Sequence, residues 1–363
     1  MIFLTPEAAH ISTRVRAALQ RPALSHEEPE FAELLHGIRQ KLLRAFVPGA
    51  ESDYTAVIMT GSGSMAVEAA LLSSLPHGKR ALVINNGVYG ELMASILGVP
   101  RLGVAEFKLD WGARPDPEKL RLALRQHPEV YAVAMVHHET TTGLINPVKE
   151  IAEVVDSQNR VFIVDAVSGL GGEALDIAGP HLYMVAGTAQ GGIQGVPGVS
   201  FVLVRKGFME RMKGYPKRSW YLYLPHYYEN EERGRIPFTP AVQAYVAFDE
   251  ALSELLEEGL ANRILRYKKA AAAIRHKMSA WGLTPVLPLE CHSNGLTAYH
   301  LPSGLSYETL HARLKEQGYV IASGQGPLAS KIFRVANMGA LSEADIEGFL
   351  SAFQRVLETA AVR

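Results

Sequence analysis

A turn rich in glycine and serine offers the clearest place for an anion. Residues 59–66 read Met-Thr-Gly-Ser-Gly-Ser-Met-Ala, which predicts a strand that runs through the turn into a helix. Free backbone N–H groups and the positive end of the helix dipole meet at such a turn, and the hydroxyls of Ser62 and Ser64 add donors. The turn suits a phosphate, although no Gly-Lys-Ser/Thr follows it. A tight strand-to-helix turn without a ligand is the alternative.

A carboxylate and an aromatic ring follow two other predicted strands. Asp165 ends the apolar run 161–164, at an edge where open parallel sheets bind ligands. A buried carboxylate needs a cation or hydrogen-bond donors, and a protonated pyridine nitrogen is one candidate. A helix cap or an ion pair in a loop is the alternative. Tyr89, in the segment Asn-Asn-Gly-Val-Tyr-Gly, could stack on a flat cofactor or simply pack.

Histidine and arginine side chains mark two more strands. His137 and His138 are adjacent, and because neighbouring side chains of a strand point to opposite faces, they cannot easily share one metal ion. We therefore expect no metal site. Arg334 is a cation within an apolar strand, and its planar guanidinium suits a carboxylate or phosphonate. A structural ion pair is the alternative for this arginine.

Alternating strands and helices would position these residues. Between residues 54 and 206, short β-branched runs alternate with amphipathic stretches, which is typical of parallel strands joined by crossover helices. The predicted strands are Thr55–Thr60, Arg80–Asn85, Val104–Leu109, Tyr131–His137, Arg160–Asp165, Tyr183–Ala186 and Val199–Val204. The predicted helices between them are Ser64–Leu75, Tyr89–Leu97, Asp116–Gln126 and Pro147–Ser157.

The pattern changes near Thr239. Two long helices, 241–257 and 260–281, precede a smaller segment with strands at 296–301, 319–322 and 332–336 and helices at 307–317 and 343–359. The predicted fold is α/β: an N-terminal arm (1–20), a large domain with a mostly parallel seven-stranded sheet (21–255) and a small C-terminal α+β domain (256–363). The helix 260–281 would link the two domains.

Composition narrows the class of protein. The chain has 363 residues, 48% of them apolar, which is enough for two packed domains. Its 36 basic and 37 acidic residues nearly cancel, so no nucleic-acid or membrane partner is expected. We find neither a signal-peptide pattern nor an apolar run of about 18 residues, and expect a cytoplasmic protein. The single cysteine, Cys291, excludes an internal disulfide.

Taken in order, these segments resemble the class V, fold-type-I aminotransferases, and most closely the members that act on 2-aminoethylphosphonate and pyruvate. The matching segments cover nearly the whole chain: 4–6, 61–64, 86–91, 139–143, 164–166, 193–198 and 333–334. The resemblance implies a PLP-transferase-type large domain and bound pyridoxal 5'-phosphate (PLP). It also implies a small amine or keto-acid substrate with an anionic end, and a homodimer with shared active sites.

The resemblance also implies a set of positions that contact the cofactor or the substrate. These are Ser62, Gly63 and Ser64 at the phosphate, Tyr89 on the ring face, Asp165 at the ring nitrogen, Thr142 beside the ring oxygen, Gln190 in the loop that normally carries the lysine, Arg334 at the anionic end of the substrate, and Thr239 at the phosphate bound by the neighbouring subunit.

One position departs from the family pattern. The family places its Schiff-base lysine in a segment like Ser-Ala-Asn-Lys-Cys-Ile-Gln-Gly, whereas residues 188–195 read Thr-Ala-Gln-Gly-Gly-Ile-Gln-Gly, which puts Gly191 at the lysine position. That lysine bonds the cofactor and moves the substrate proton, and glycine can do neither. Lys206, the nearest lysine downstream, is expected to lie far from the ring. Gln190 and Gly192 also differ from the family, which favours natural divergence of the loop over an engineered change.

Two functions stay open on the sequence alone. In the first, the chain is a transaminase with altered or impaired chemistry that binds PLP noncovalently, with His137, Tyr89 or water as the base. In the second, it is a noncatalytic protein that senses or carries PLP, its amine form or an aminophosphonate. Glu7, where the family usually has glycine, and the tyrosine-rich segment 218–228 suggest a changed choice of substrate.

Overall fold

The computed structural model describes residues 1–7, 10–22, 24–179 and 181–361. Its strands are β1 (Ile2–Leu4), β2 (Tyr54–Thr60), β3 (Arg80–Asn85), β4 (Val104–Lys108), β5 (Val130–Val136), β6 (His138–Glu139), β7 (Leu144–Ile145), β8 (Val161–Asp165), β9 (Met184–Thr188), β10 (Val199–Arg205), β11 (Leu296–His300), β12 (Tyr319–Ser323) and β13 (Ile332–Ala336). Its α-helices are α1 (Thr13–Ala18), α2 (Pro29–Phe46), α3 (Gly63–Ser73), α4 (Val88–Gly98), α5 (Pro117–Gln126), α6 (Val148–Ser157), α7 (Lys206–Met212), α8 (Leu224–Glu231), α9 (Val242–Glu258), α10 (Leu260–Ala280), α11 (Tyr307–Glu316) and α12 (Glu343–Ala361).

The main sheet has seven strands in the order β2-β10-β9-β8-β5-β3-β4. Strand β10 runs antiparallel to both of its neighbours, and the other pairs are parallel. The mostly parallel seven-stranded sheet predicted from the sequence is therefore confirmed. β6 and β7 form a separate two-stranded hairpin beyond the end of β5.

Helices cover both faces of this sheet, which explains the continuous apolar runs of its central strands. In β8, Phe162 and Val164 pack into one core, with side chains of α2, α5, α6 and α9. Val161 and Ile163 point the other way, into a second core with side chains of α3, α4 and α7. The sheet edge where β8 ends is therefore held rigidly from both sides.

A four-stranded sheet, in the order β1-β12-β13-β11, forms the centre of the smaller unit. Side chains of α10, α11 and α12 pack on it in a separate core. Strand β1 pairs in parallel with β12, while α1 contacts α9 through the ion pair of Arg14 with Glu250. The first twenty residues thus contact both units, and the domain limits at residues 20 and 255 stay predictions.

No helix in the described part of the chain combines the length and the hydropathy needed to cross a bilayer.

Candidate functional site

Several predicted site residues meet at one edge of the main sheet. Strands β2, β3, β5, β8 and β9 all end there, since they run in the same direction. A cavity of about 140 Å³ lies at this edge. Its wall is formed by Pro6, Glu7, Ser62, Gly63, Ser64, Tyr89, Val136, His138, Asp165, Val167, Ser168 and Gln190.

The glycine-serine turn forms one side of the cavity. Helix α3 begins at Gly63, and the side chain of its N-cap, Ser62, makes no capping hydrogen bond, so that hydroxyl is free for a ligand. The first amides of a helix have no partner within it. A Cβ at residue 63 would lie 2.3 Å from Cγ1 of Val167, so only glycine lets the start of the helix lie this close to the end of β8. The turn fits a phosphate group.

Asp165 belongs to the wall of the same cavity. Its carboxylate accepts one hydrogen bond, from the amide of Val167 to Oδ1 at 3.0 Å. Burial, aided by the nearby carboxylate of Glu139, raises the pKa of Asp165 to about 7. Among the described residues none forms an ion pair with it. A cation placed in the cavity would restore the charged form, so Asp165 fits a protonated ring nitrogen.

Tyr89 is held in place by a buried carboxylate that sequence reasoning missed. Glu139 Oε2 accepts the Tyr89 amide at 3.2 Å, and its Oε1 accepts the amide and the hydroxyl of Thr141 at 3.0 and 2.5 Å. A Cβ at Gly87 would lie 2.3 Å from Cδ of Glu139, so glycine is needed for this approach. The carboxylate thereby fixes the start of α4, and with it the tyrosine ring.

The two adjacent histidines lie in different surroundings. His138 belongs to the cavity wall, whereas His137 does not. Instead, Nδ1 of His137 lies 2.5 Å from where a Cβ of Gly169 would be. Both imidazoles are buried, and burial lowers the pKa of His137 to about 3 and that of His138 to about 4. The histidine that reaches the cavity is thus not the one chosen from the sequence.

Gly191 begins a single 3₁₀ turn, 191–193, directly after Gln190. Its φ is +70°, and a Cβ there would have one neighbour, Sδ of Met338 at 3.9 Å. The turn is fixed by the smaller unit: Gln194 Nε2 donates to the hydroxyl of Tyr267 at 2.7 Å and to the carbonyl of Gly339 at 2.9 Å. These hydrogen bonds hold the turn that begins at residue 191, and a Cβ at this residue would have almost no neighbours.

Lys206 lies at the other edge of the sheet. Arg205, just before it, pairs with Tyr54 at the start of β2, whereas Ser62 follows the end of β2. Seven residues of strand separate the two positions by about 20 Å at the usual rise per residue. Within the described part of the chain, no lysine lines the cavity.

Arg334 is buried and held by three hydrogen bonds, and it is not part of the cavity wall. Its Nε donates to the Ser323 carbonyl at 2.7 Å, and its Nη1 to the Thr140 carbonyl at 2.9 Å and to Gln325 Oε1 at 3.1 Å. Burial lowers the pKa of the Arg334 guanidinium. Glu7 and Tyr89 lie close enough to raise this pKa and so oppose the effect of burial. No described residue bonds to Nη2, so this nitrogen is free for an anion.

Two other residues predicted to contact the cofactor, Thr142 and Thr239, are not part of the cavity wall. The hydroxyl of Thr142 is buried without a partner, close to Gly112. Thr239 is exposed. Just before it, Phe238 stacks on Tyr221 at 4.2 Å, beside Trp220, which is 70% exposed. The roles expected for the two threonines stay predictions.

Within the described residues, no cluster of three or more His, Cys, Asp or Glu side chains could hold a metal ion.

Comparisons with known proteins agree with this geometry. The family model described as aminotransferase class V matches residues 5–338. The chain is 38% identical over 358 residues to 2-aminoethylphosphonate–pyruvate transaminase from Syntrophobacter fumaroxidans, covering 97% of this chain and 95% of that one. Among solved structures, aspartate aminotransferase of subgroup IV from Thermus thermophilus has a TM-score of 0.90 at 26% identity, covering 99% and 100% of the two chains. Alanine–glyoxylate aminotransferase from Nostoc sp. has a TM-score of 0.91 at 25% identity, covering 98% and 95%.

Proposed function

Because the chain belongs to the class V aminotransferases, a family of PLP-dependent enzymes, we propose that it binds PLP in the cavity at the edge of the main sheet and acts on a small amine with an anionic end. The bound cofactor would supply an electron sink that activates the carbon next to the substrate amine. The similarity to 2-aminoethylphosphonate–pyruvate transaminases supports an aminophosphonate as donor and a keto acid as acceptor.

The observation that carries this proposal is the pairing of two complementary features across one cavity. The free hydroxyl of Ser62 and the first turn of α3 suit a dianionic phosphate, and the carboxylate of Asp165 suits a cationic ring nitrogen. PLP carries both groups on one ring, with the phosphate on a methylene two ring positions away from the nitrogen. Tyr89, in the same wall, would lie against that ring.

We propose that the cofactor is held without a covalent bond, with Gly191 at the position of the family lysine. The lack of a cavity lysine among the described residues supports this, as does the distance to Lys206. Binding would then depend on the phosphate turn, on ring stacking and on Asp165. Arg334, through its free Nη2, would bind the anionic group of the substrate and so orient the amine toward the ring.

A homodimer with shared sites is part of the proposal. Thr239 is exposed beside an aromatic surface formed by Trp220, Tyr221 and Phe238. Aromatic side chains are enriched where protein surfaces associate. Thr239 would then donate to the phosphate bound by the other protomer.

The second candidate function, noncatalytic binding of PLP or of its amine form, is favoured by the glycine at residue 191. To separate the two, the purified protein is mixed with PLP, 2-aminoethylphosphonate and pyruvate, and alanine formation is followed for the wild type, Gly191→Lys and Gly191→Met. Turnover by the wild type supports the enzyme. Cofactor binding without turnover, with activity gained only by Gly191→Lys, supports the binding protein. Absence of PLP binding would refute both.

The Gly191→Met variant is a matched control, because both substitutions place a long side chain at φ +70°. That backbone conformation costs about 1–3 kcal/mol for a residue other than glycine. Only the lysine adds an amine, so a difference between the two variants reports the amine and not the strain.

A further inference from the structure

His138 is a buried base that the family resemblance leaves without a role. The residue is 2% exposed and forms part of the cavity wall together with Asp165 and Gln190. Its Nε2 has no hydrogen-bond partner. An unpaired buried polar atom is costly, so its presence at this cavity calls for a ligand or a reacting group.

The tautomer of His138 follows from its one hydrogen bond. Nδ1 lies 3.0 Å from the carbonyl oxygen of Ser168. A carbonyl oxygen only accepts, so Nδ1 carries the hydrogen and Nε2 of the neutral ring carries a lone pair. Burial, aided by the charge of Arg275, lowers the pKa of His138 to about 4, so the ring is neutral at pH 7. Nε2 therefore carries a free lone pair, and a negative charge brought into the cavity would raise its low pKa and so its strength as a base.

Gly295 and Met338 lie between His138 and residue 191. A Cβ at Gly295 would lie 3.8 Å from Cε1 of His138 and 3.2 Å from Sδ of Met338. The same sulfur lies 3.9 Å from the Cβ position of residue 191. The side chain of Met338 therefore lies close both to Gly295, which borders His138, and to the position of the family lysine.

We propose that His138, through Nε2, is the catalytic acid–base group that moves the substrate proton in place of the family lysine. This inference rests on the proposed function. Nε2 of His138 would take the proton as the C–H bond of the amine-bearing carbon breaks, and the bound cofactor would supply the sink for the electron pair of that bond. Nε2 would then return that proton to the reacting molecules, which restores the neutral imidazole.

The first test observes the histidine itself. In cofactor-free protein labelled with ¹⁵N in its histidines, the His138 signals, assigned by their loss in His138→Asn, should show a protonated Nδ1 and an unprotonated Nε2 at pH 7. Addition of PLP should shift the Nε2 resonance. A protonated Nε2 at neutral pH, or an Nε2 resonance unchanged by bound PLP, would overturn the proposal.

The second test measures PLP affinity and proton transfer separately. We expect His138→Asn to bind PLP within about 3-fold of the wild type, and its single-turnover rate with 2-aminoethylphosphonate to fall by about 10²–10⁴-fold. Added imidazole should restore part of the rate in His138→Ala, which a purely structural role would not produce. The same substitution one residue earlier, His137→Asn, tests the competing base.

The outcomes distinguish the two proposals. If the wild type does not bind PLP, the proposed function fails as well. If it binds and turns over, and His138→Asn keeps the full rate or His137→Asn alone loses it, only the role of His138 is refuted. If the wild type binds PLP with no turnover at all, PLP binding stands and the catalytic role of His138 is refuted.

Discussion

Gly63 packs closely against the side chain of Val167, so the phosphate turn contacts the segment that follows β8. A Cβ on residue 63 would lie only 2.3 Å from Cγ1 of the valine. This contact connects the two ends of the proposed cofactor site, since Val167 also donates its amide to Asp165. The packing of Gly63 against the Val167 side chain therefore helps to set the spacing between the phosphate turn and the carboxylate.

Gly63→Ala should force these two segments apart. We expect PLP affinity to fall by about tenfold or more and the free energy of unfolding to decrease by about 1–3 kcal/mol, as overpacking generally costs. Fluorescence titration with PLP and urea denaturation measure the two effects. The matched control is Gly98→Ala, also in a helix, where an added Cβ would have no neighbour within 4 Å. Equal effects of the two substitutions would contradict this account.

The raised pKa of Asp165 predicts a pH dependence of stability in the cofactor-free protein. The folded-state pKa of Asp165, about 7, exceeds its pKa in the unfolded chain. Its contribution to the free energy of unfolding is therefore fully present below about pH 4 and is lost as the pH rises through 7. Asp165→Asn removes this loss, so it should be more stable than the wild type at pH 8 by about 2–4 kcal/mol, and no more stable at pH 4. Urea denaturation between pH 4 and 8 measures the difference. Parallel stability curves would show that Asp165 is not held in the environment described.

Arg334 should set the affinity for the anionic end of the substrate. Arg334→Gln removes the charge, so the KM for 2-aminoethylphosphonate should rise by about 10–100-fold, the usual loss for a hydrogen bond to a charged group. A neutral amine of similar size should be much less affected. Arg334→Lys keeps the charge but lacks the planar fork, so its KM should lie between those of the wild type and Arg334→Gln. Equal changes for the charged and the neutral amine would assign Arg334 a structural role only.

The shared site of the proposed homodimer can be tested by mixing two defective protomers. Ser62→Ala and Thr239→Val should each weaken PLP binding. In a mixed dimer with shared sites, one site carries both changes and the other neither, so tight binding should reappear after unfolding and refolding the mixture together. If each site is built from a single chain, the mixture will bind no better than its components. Sedimentation of the wild type supplies the oligomeric state.

Much of the fold follows from local patterns in the sequence. The apolar runs of β5 and β8 are bounded by turns and long enough for strands covered on both faces, and the predicted limits agree with the observed ones to within one residue. Helix α2 was not predicted. Its signals are nevertheless present, since Pro29 stands at the first turn and Phe31, Leu35, Ile38 and Leu42 are buried at helical spacing.

The position of a residue can be predicted where it follows a strand end directly. Ser62, Asp165 and Gln190 meet at one cavity because parallel strands bring their ends to the same edge. The role of Glu139 depends on how closely its side chain approaches Gly87, which no local pattern reveals. Because side-chain directions alternate along a strand, the two histidines are expected on opposite faces, but the sequence does not show which face borders the cavity.

The most direct measurement of the central claim is a crystal structure of the wild-type protein soaked with PLP. We predict the phosphate at the turn of Ser62 and Ser64, the ring nitrogen within hydrogen-bond distance of Asp165, and no continuous density from the cofactor to any lysine. A cofactor bonded to a lysine, or bound away from Asp165, would contradict the account.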